Sequence, residues 1–324
     1  MRTAADRTWL IALAASMWGF SGLLRTPLAK DHASPTIVLW EHLILVLLVS
    51  PVLIGALRAW SRSSMRTRIA TIVIGGGSSA LATTLFTLAF RVGDPITPQV
   101  LQKLQPLLAL TFAALILGER LRPRFAFFAV PALVGAWLLA FPDPLGVGVT
   151  SLTPALLGVG AAALWALGTV LGRFVSTELT FHHVTALRFF FGLLALLIIV
   201  LLTGSPLQMP MGTWPRLFLL ALIPGLLALI LYYFGLKNTA ASRATLAELA
   251  FPLTAAAIGV FVQHATLQPT QWLGFVLVLA TIIALALHEG TQQRKAVRVP
   301  TPGRAGVPFL PHSDDTPSRT RRQG

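Results

Sequence analysis

Apolar residues in this chain fall into long runs that are separated by short polar connections. Runs of about 20 residues recur from Trp9 nearly to His288. A run of this length spans a bilayer as an α-helix, because a helix pairs its backbone polar groups within the segment. The pattern therefore predicts ten membrane-spanning helices, over residues 8–28, 35–57, 69–90, 95–117, 123–141, 152–173, 181–203, 214–235, 240–262 and 269–287.

Composition supports the same fold class. Of the 324 residues, 55% are hydrophobic and 11% are charged, whereas soluble domains carry roughly 25% charged residues. We therefore expect an all-α integral membrane protein. The chain has no cysteine and its seven histidines are scattered, so the sequence predicts no disulfide, no metal site and no cofactor.

The basic residues alternate between successive connections. If the N-terminus is inside, the inner segments hold 19 Lys and Arg residues, and the outer ones hold three, Lys30, Arg91 and Arg216. This asymmetry follows the positive-inside rule and predicts that both termini of a multi-pass protein of the cell (inner) membrane are cytoplasmic. The net charge of +14 would suggest nucleic acid in a soluble protein. Here the predicted partner of the basic residues is the anionic lipid surface.

The chain also contains an internal repeat. At an offset of 146 or 147 residues, similar positions fall on one another: Pro106 on Pro252, Pro123 on Pro269, Trp18 on Trp165 and Glu41 on Arg188. We predict two five-helix halves, 1–142 and 150–288, followed by a disordered basic cytoplasmic tail, 289–324. Because five is odd, the second half should enter the membrane in the opposite sense, which is typical of transporters that alternate access to a central site.

Small residues and proline interrupt matching helices of the two halves. Residues 75–79 read GGGSS, and Pro224 and Gly225 fall on Ser78 and Ser79 at the 146 offset. Matching interruptions point to a central binding site in inverted-repeat transporters. Close helix packing is the alternative interpretation, since small residues let membrane helices approach one another.

Two copies of one motif resemble a known family, the EamA-domain members of the drug/metabolite transporter superfamily. The first copy is GDPITPQVLQKLQPLLALTFAALILGERL, residues 93–121, and the second is NTAASRATLAELAFPLTAAAIGVFVQHATL, residues 238–267, in which HATL replaces GERL. The resemblance covers residues 9–287. It implies a ten-helix transporter of small organic molecules, often an exporter, with a central cavity lined by both halves.

Four charged residues lie inside apolar spans: Glu41, Lys103, Arg188 and Glu248. Each costs about 2.5–3.5 kcal/mol near a helix centre on insertion scales, so none is expected to face lipid. Their depths favour Glu41 with Lys103 and Arg188 with Glu248 as opposite-charge pairs. The pairs could fix helix register, or the charges could orient a polar cargo, with a carboxylate as a proton carrier.

Polar and aromatic residues complete the candidate site. Gln99, Gln102, Lys103 and Pro106 share one helix face, and Trp18 and Trp165 lie at repeat-related positions near midspan. The predicted substrate-binding residues are Trp18, Glu41, Gln99, Lys103, Trp165, Arg188, Tyr232 and Glu248.

Catalysis is not expected. GFSG at 19–22 matches a short pattern of intramembrane serine proteases, but the duplicated architecture is different, and HExxH is absent. The sequence predicts a secondary transporter of small metabolites, such as amino acids or similar amphipathic compounds, and the family resemblance implies export. Exporters of drug-like organic cations, or a channel or receptor without alternating access, are the alternatives. Cargo identity, direction of transport, proton coupling and oligomeric state stay open.

Overall fold

The computed structural model describes residues 7–92, 102, 104–119, 126–141, 143–146, 152–262, 264 and 266–298. Over these described residues the chain is helical and contains no strand. The α-helices are α1 (Thr8–Gly19), α2 (Ser21–Asp31), α3 (Ser34–Arg62), α4 (Met65–Val73), α5 (Ala82–Val92), α6 (Gln105–Leu117), α7 (Ala126–Ala140), α8 (Leu152–Val175), α9 (Phe181–Thr203), α10 (Trp214–Leu220), α11 (Ala228–Leu236), α12 (Ala241–Ala247), α13 (Ala250–Phe261) and α14 (Pro269–Arg298).

The all-helical prediction is confirmed over the described residues. Six continuous helical segments there are long and apolar enough to cross a membrane: Ser34–Arg62, Met65–Ala89, Ala155–Val175, Phe181–Thr203, Met211–Leu236 and Ala241–Phe261. Three shorter apolar helices lie at Gln105–Leu117, Phe127–Leu139 and Pro269–Ala284. The chain is therefore a multi-pass membrane protein. Ten crossings remain a prediction.

The last helix is longer than the sequence pattern indicated. It continues to Arg298, whereas the apolar span was expected to end at 287 and a disordered tail to begin at 289. The residues beyond 287, HEGTQQRKAVR, include several good helix formers, which extend a helix that the membrane segment has already nucleated. Residues 299–324 lie outside the described residues.

Both predicted interruptions are π-helical. Residues Ile74–Leu81 join α4 to α5, and Ala221–Leu227 join α10 to α11. In the second segment Pro224 lacks the N–H that an α-helix needs. In the first, Gly75 allows a close approach to α9, since a Cβ there would lie 2.6 Å from the Cβ of Phe191. Isolated π-turns are frequent at functional sites.

The largest apolar core lies beside these turns. It packs α3 against α9 and α1 against α11, and fully buried members include Ile37, Leu45, Leu187 and Tyr233. This core fixes the wall from which the polar side chains of α3 and α9 reach inward.

Helix ends meet at two faces of the molecule. What we call the N-terminal face contains residue 7 and the connections 62–65, 117–119, 175–181 and 236–241; Arg7 N donates to Thr239 Oγ1 at 3.4 Å there. The opposite face contains residues 31–34, 139–141, 203–210 and 267–271, where Thr36 Oγ1 donates to the Pro206 carbonyl at 2.6 Å. Helix α1 begins at the N-terminal face, and its repeat-related helix α8 ends there.

Candidate substrate cavity

A cavity of about 1060 Å³ lies between the two halves of the chain. Ligand pockets are typically about 300–1,000 Å³, so this space suits a small organic molecule. The structure brings six of the predicted site residues to its wall: Trp18, Glu41, Trp165, Arg188, Tyr232 and Glu248. The other two, Gln99 and Lys103, lie outside the described residues.

Glu248 lies at a break in the helical path. It occupies the turn between α12 and α13, so its side chain leaves the chain where the helix is interrupted. One carboxylate oxygen accepts from Tyr232 Oη at 2.8 Å and from Thr169 Oγ1 at 3.1 Å. The other accepts from Gln105 Nε2 at 3.0 Å. All three donors are neutral, and among the described residues Glu248 is in no ion pair.

Arg188 projects into the same cavity from α9. Its Nη1 donates to Tyr233 Oη at 3.0 Å, its Nε to Ser79 Oγ at 3.3 Å and its Nη2 to the Ser78 carbonyl at 3.4 Å. A guanidinium has five N–H donors, so these three bonds leave donors for a cargo. The predicted Arg188–Glu248 ion pair is wrong, because α9 aims Arg188 at the first π-turn while Glu248 is held by α8, α11 and α6.

Hydrogen bonding assigns the tautomer of His42. Its Nδ1 lies 2.9 Å from the Val38 carbonyl, and its Nε2 lies 2.9 Å from Ser79 Oγ. A carbonyl only accepts, so Nδ1 carries the proton and, in the neutral ring, Nε2 accepts from the Ser79 hydroxyl. Arg188 Nε can then donate to Ser79 Oγ, and the chain of donors runs in one direction from Arg188 to Val38. His42 thereby positions the Ser79 hydroxyl that accepts the hydrogen bond from Arg188.

Glu41 has a partner that differs from the predicted one. Arg25 Nη2 lies 2.7 Å from Glu41 Oε2, with side-chain exposures of 20% and 9%. The helical path is interrupted at Phe20, between α1 and α2, and Arg25 lies on the cavity wall. The Glu41–Lys103 pair lies in part outside the described residues. The observed pair neutralises Glu41 within the first half of the chain.

Aromatic rings form part of the cavity wall. The rings of Trp18 and Tyr232 have centroids 5.2 Å apart, and those of Phe86 and Trp165 have centroids 5.1 Å apart. All four residues line the cavity. Such rings offer flat apolar surface to a planar ligand.

Some wall residues were missed from the sequence. Arg25, His42, Ser79, Thr169, Gln105 and Gln271 all line the cavity. Thr169 lies four residues after Trp165, and Gln105 three residues after Gln102, so helical spacing from predicted residues could have indicated both. The sequence held no such signal for Gln271, which lies near the start of α14. Its Nε2 donates to the Leu139 carbonyl at 3.2 Å.

Comparison with known proteins identifies the family. The model of the EamA-like transporter family matches the chain twice, at residues 8–141 and 152–287. The chain belongs to the EamA-like transporter family. The family and the named relatives of this chain are transporters, and the resemblance seen in the two sequence motifs is confirmed.

Curated relatives carry the same assignment. The chain is 31% identical over 290 residues to riboflavin transporter ImpX of Fusobacterium nucleatum, covering 86% of this chain and 96% of the relative. It is 28% identical over 209 residues to the uncharacterized transporter YwfM of Bacillus subtilis, covering 64% of this chain and 70% of the relative. A crystal structure at 20% identity has a TM-score of 0.68 and covers 89% of this chain and 98% of that chain. This last likeness supports the fold alone.

Proposed function

We propose that this EamA-family member is a secondary carrier that moves a small organic metabolite across the cell membrane by alternating access. The cavity carries the proposal, because its wall presents a carboxylate, a guanidinium, amides and aromatic rings to one central space. The paired π-turns at Ile74–Leu81 and Ala221–Leu227 supply matching interruptions in the two halves. The opposite directions of α1 and α8 support two inverted halves, with limits near 1–142 and 150–288.

The proposed cargo class is a planar heteroaromatic metabolite with amide and hydroxyl groups, and riboflavin is the first compound to test. The relative ImpX is named a riboflavin transporter. A flavin ring could lie against the surface formed by Trp18 and Tyr232. Its carbonyl and N–H edge could meet Arg188, Glu248 and Gln102, while its hydroxylated chain could bond to Gln271.

Organic cations are the second candidate cargo, and Glu248 is the observation that favours them. Its carboxylate accepts hydrogen bonds from neutral groups and is in no ion pair with a described residue. A cation that approached it would gain a charge-assisted contact in a site of low dielectric constant. Amphipathic amines therefore belong in the same transport screen, and so do the amino acids that the sequence suggested.

In the proposed orientation the N-terminal face is cytoplasmic, as the positive-inside rule predicts. The lining residues Arg25, Ala29, Leu139 and Gln271 extend the cavity toward the opposite face, so this state would face outward. Export, the direction that the family resemblance implied, stays a prediction, since a carrier works in the direction that the gradients set.

Counterflow in proteoliposomes tests the carrier. Vesicles containing the purified protein are loaded with unlabelled riboflavin, an organic cation or an amino acid, and uptake of the same labelled compound is followed. A carrier gives saturable uptake that the internal cargo accelerates, with Glu248→Gln impaired. Flux that is unsaturable and unaffected by internal cargo would identify a channel and contradict the proposal.

A further inference from the structure

Two carboxylates bind the halves of the chain together at the N-terminal face. The first is Glu119, which follows α6. Its Oε1 accepts from the backbone N–H of Ala241 at 2.9 Å, and its Oε2 accepts from that of Ser242 at 3.1 Å. Gly118 makes this possible, because its φ of 65° is a left-handed conformation that turns the chain back at the helix end. We call these contacts the Glu119 clasp.

The second carboxylate, that of Glu178, belongs to the second half of the chain and contacts the first half. Glu178, in the connection before α9, accepts from Ser64 N at 2.9 Å, from Ser64 Oγ at 2.7 Å and from Thr67 Oγ1 at 2.8 Å. These donors lower the pKa of the Glu178 carboxyl from its usual value, the Ser64 N–H contributing most, so the contact is fully ionised at neutral pH. We call these contacts the Glu178 clasp.

The internal repeat shows that neither clasp can form at the opposite face. At the 146 offset, Glu119 falls on Ala265 and Ala241 falls on Pro95, so the acceptor carboxylate and one donor N–H are both missing. In the same way, Ser64 falls on Pro210, which has neither an N–H nor a hydroxyl.

The acidic counterpart of Glu178 has no equivalent role. At the 147 offset Glu178 falls on Asp31, and the structure records no hydrogen bond between the Asp31 side chain and a described residue. Thr67 falls on Thr213 at the 146 offset, and the Thr213 hydroxyl donates to the Pro210 carbonyl within its own segment. The sequence thus retains one acidic residue on this side without the donors that would bind it.

Neutral hydrogen bonds join the halves at the opposite face. Thr36 donates to the Pro206 carbonyl at 2.6 Å, Trp40 Nε1 to the Leu207 carbonyl at 2.8 Å, and Gln271 to the Leu139 carbonyl at 3.2 Å. Hydrogen bonds to an ionised group are roughly twice as strong as neutral ones. The N-terminal face therefore has the contacts to ionised groups, of which the half-buried Glu119 clasp is stronger than the exposed Glu178 clasp, and the cavity extends away from it.

We propose that Glu119 and Glu178 are positioning residues that hold the N-terminal face closed and favour the state open to the opposite face. This inference rests on the proposed carrier function, in which the two faces open in turn. Opening the N-terminal face separates the halves there and breaks both clasps, whereas opening the opposite face breaks no such contact. Loss of either clasp should shift the population toward the state open at the N-terminal face.

The absence of cysteine in the chain allows a direct test with a single reporter. Thr83→Cys places a thiol on the cavity wall at a half-buried position that a maleimide can reach. A membrane-impermeant maleimide is added to vesicles of either orientation, whose sidedness is assigned by an N-terminal tag. The ratio of the two labelling rates then reports which face is open.

Glu119→Gln and Glu178→Gln are each expected to raise the labelling rate from the N-terminal face at least threefold. Asp31→Asn is the matched control and should leave the ratio unchanged. Thr67→Val removes a single hydroxyl from the Glu178 clasp and should give a smaller shift in the same direction. It also keeps the test informative if a Gln variant does not fold.

Three outcomes are distinguishable. If folded clasp variants give the same ratio as Asp31→Asn, the positioning role is wrong while the carrier proposal stands. If Asp31→Asn shifts the ratio as far as the clasp variants do, surface charge rather than the clasps sets the balance, and the inference is overturned. Equal labelling of the parent reporter from both faces would show that neither face is held closed and would overturn the inference, while counterflow decides the carrier proposal separately.

Discussion

The two carboxylates of the cavity lie in different surroundings. Glu41 pairs with Arg25 at 2.7 Å, within the first half of the chain. Glu248 accepts hydrogen bonds from Tyr232, Thr169 and Gln105, which come from both halves. Glu41 contacts a cation directly, whereas Glu248 is held in the cavity wall by neutral hydrogen-bond donors.

This difference assigns the two residues different tasks. A buried ion pair is poor at attracting ligands, because each charge is compensated, and its removal as a unit is often neutral for stability. A carboxylate held by neutral donors can still attract a cargo group and can exchange donors with it. We therefore propose that Glu41 and Arg25 form a structural pair and that Glu248 is the carboxylate that binds cargo.

The largest predicted effect concerns stability. Arg25→Gln leaves the Glu41 carboxylate buried without its cation and should lower the free energy of unfolding by about 3–5 kcal/mol. The double variant Arg25→Gln/Glu41→Gln should recover most of that loss. Chemical unfolding in detergent micelles gives the free energy of unfolding of the parent protein, the single variant and the double variant. A double variant as unstable as the single one would show that the two residues do not act only as an ion pair.

The next effect concerns transport. Glu248→Gln removes the charge but keeps the shape, and one hydrogen bond to a charged group is worth about 1.5–3 kcal/mol. Transport efficiency should therefore fall about 10- to 100-fold, while the folded fraction stays unchanged. Counterflow rates for Glu248→Gln and for the Arg25→Gln/Glu41→Gln control supply the comparison. Equal losses in both would remove the distinction between the two carboxylates.

A smaller effect is expected for the aromatic wall. Trp18→Ala removes the ring that faces Tyr232, and an aromatic contact contributes about 0.5–1.5 kcal/mol beyond its buried area. The KM for a planar cargo should rise several-fold, with little change for a non-aromatic amine. Concentration-dependent uptake of both compounds checks this, and equal increases would argue against ring stacking.

The smallest effect is expected at Thr245. Thr245 is a lining residue of the cavity, but its hydroxyl is buried and has no hydrogen-bond partner among the described residues. Thr245→Val keeps the shape and removes this unpaired buried hydroxyl, so the free energy of unfolding should rise by about 1 kcal/mol while transport stays unchanged. If transport nevertheless falls tenfold, this hydroxyl binds cargo directly, and the polar site extends beyond Glu248.

The sequence predicted features that depend on position along the chain. Gly75 and Pro224 marked both π-turns, because glycine and proline alter helices locally. The depths of Glu41, Arg188 and Glu248 followed from counting residues, and all three reach the cavity. The internal repeat agrees with the two matches of the family model, at residues 8–141 and 152–287.

Lateral neighbours could not be predicted in the same way. Depth alone made Arg188 a partner for Glu248, but the direction of a side chain depends on helix rotation and on packing between distant segments. The interruption at Phe20 that brings Arg25 to Glu41 carries no proline. The contacts of Glu119 with Ala241 and Ser242 likewise join residues more than a hundred positions apart.

Riboflavin counterflow into proteoliposomes, compared between the parent protein, Glu248→Gln and Arg25→Gln/Glu41→Gln, tests the central claim most directly. We predict saturable, cargo-accelerated uptake by the parent protein, similar uptake by the double variant, and at least a tenfold loss in Glu248→Gln. Undiminished uptake by Glu248→Gln, at equal protein abundance, would contradict the account.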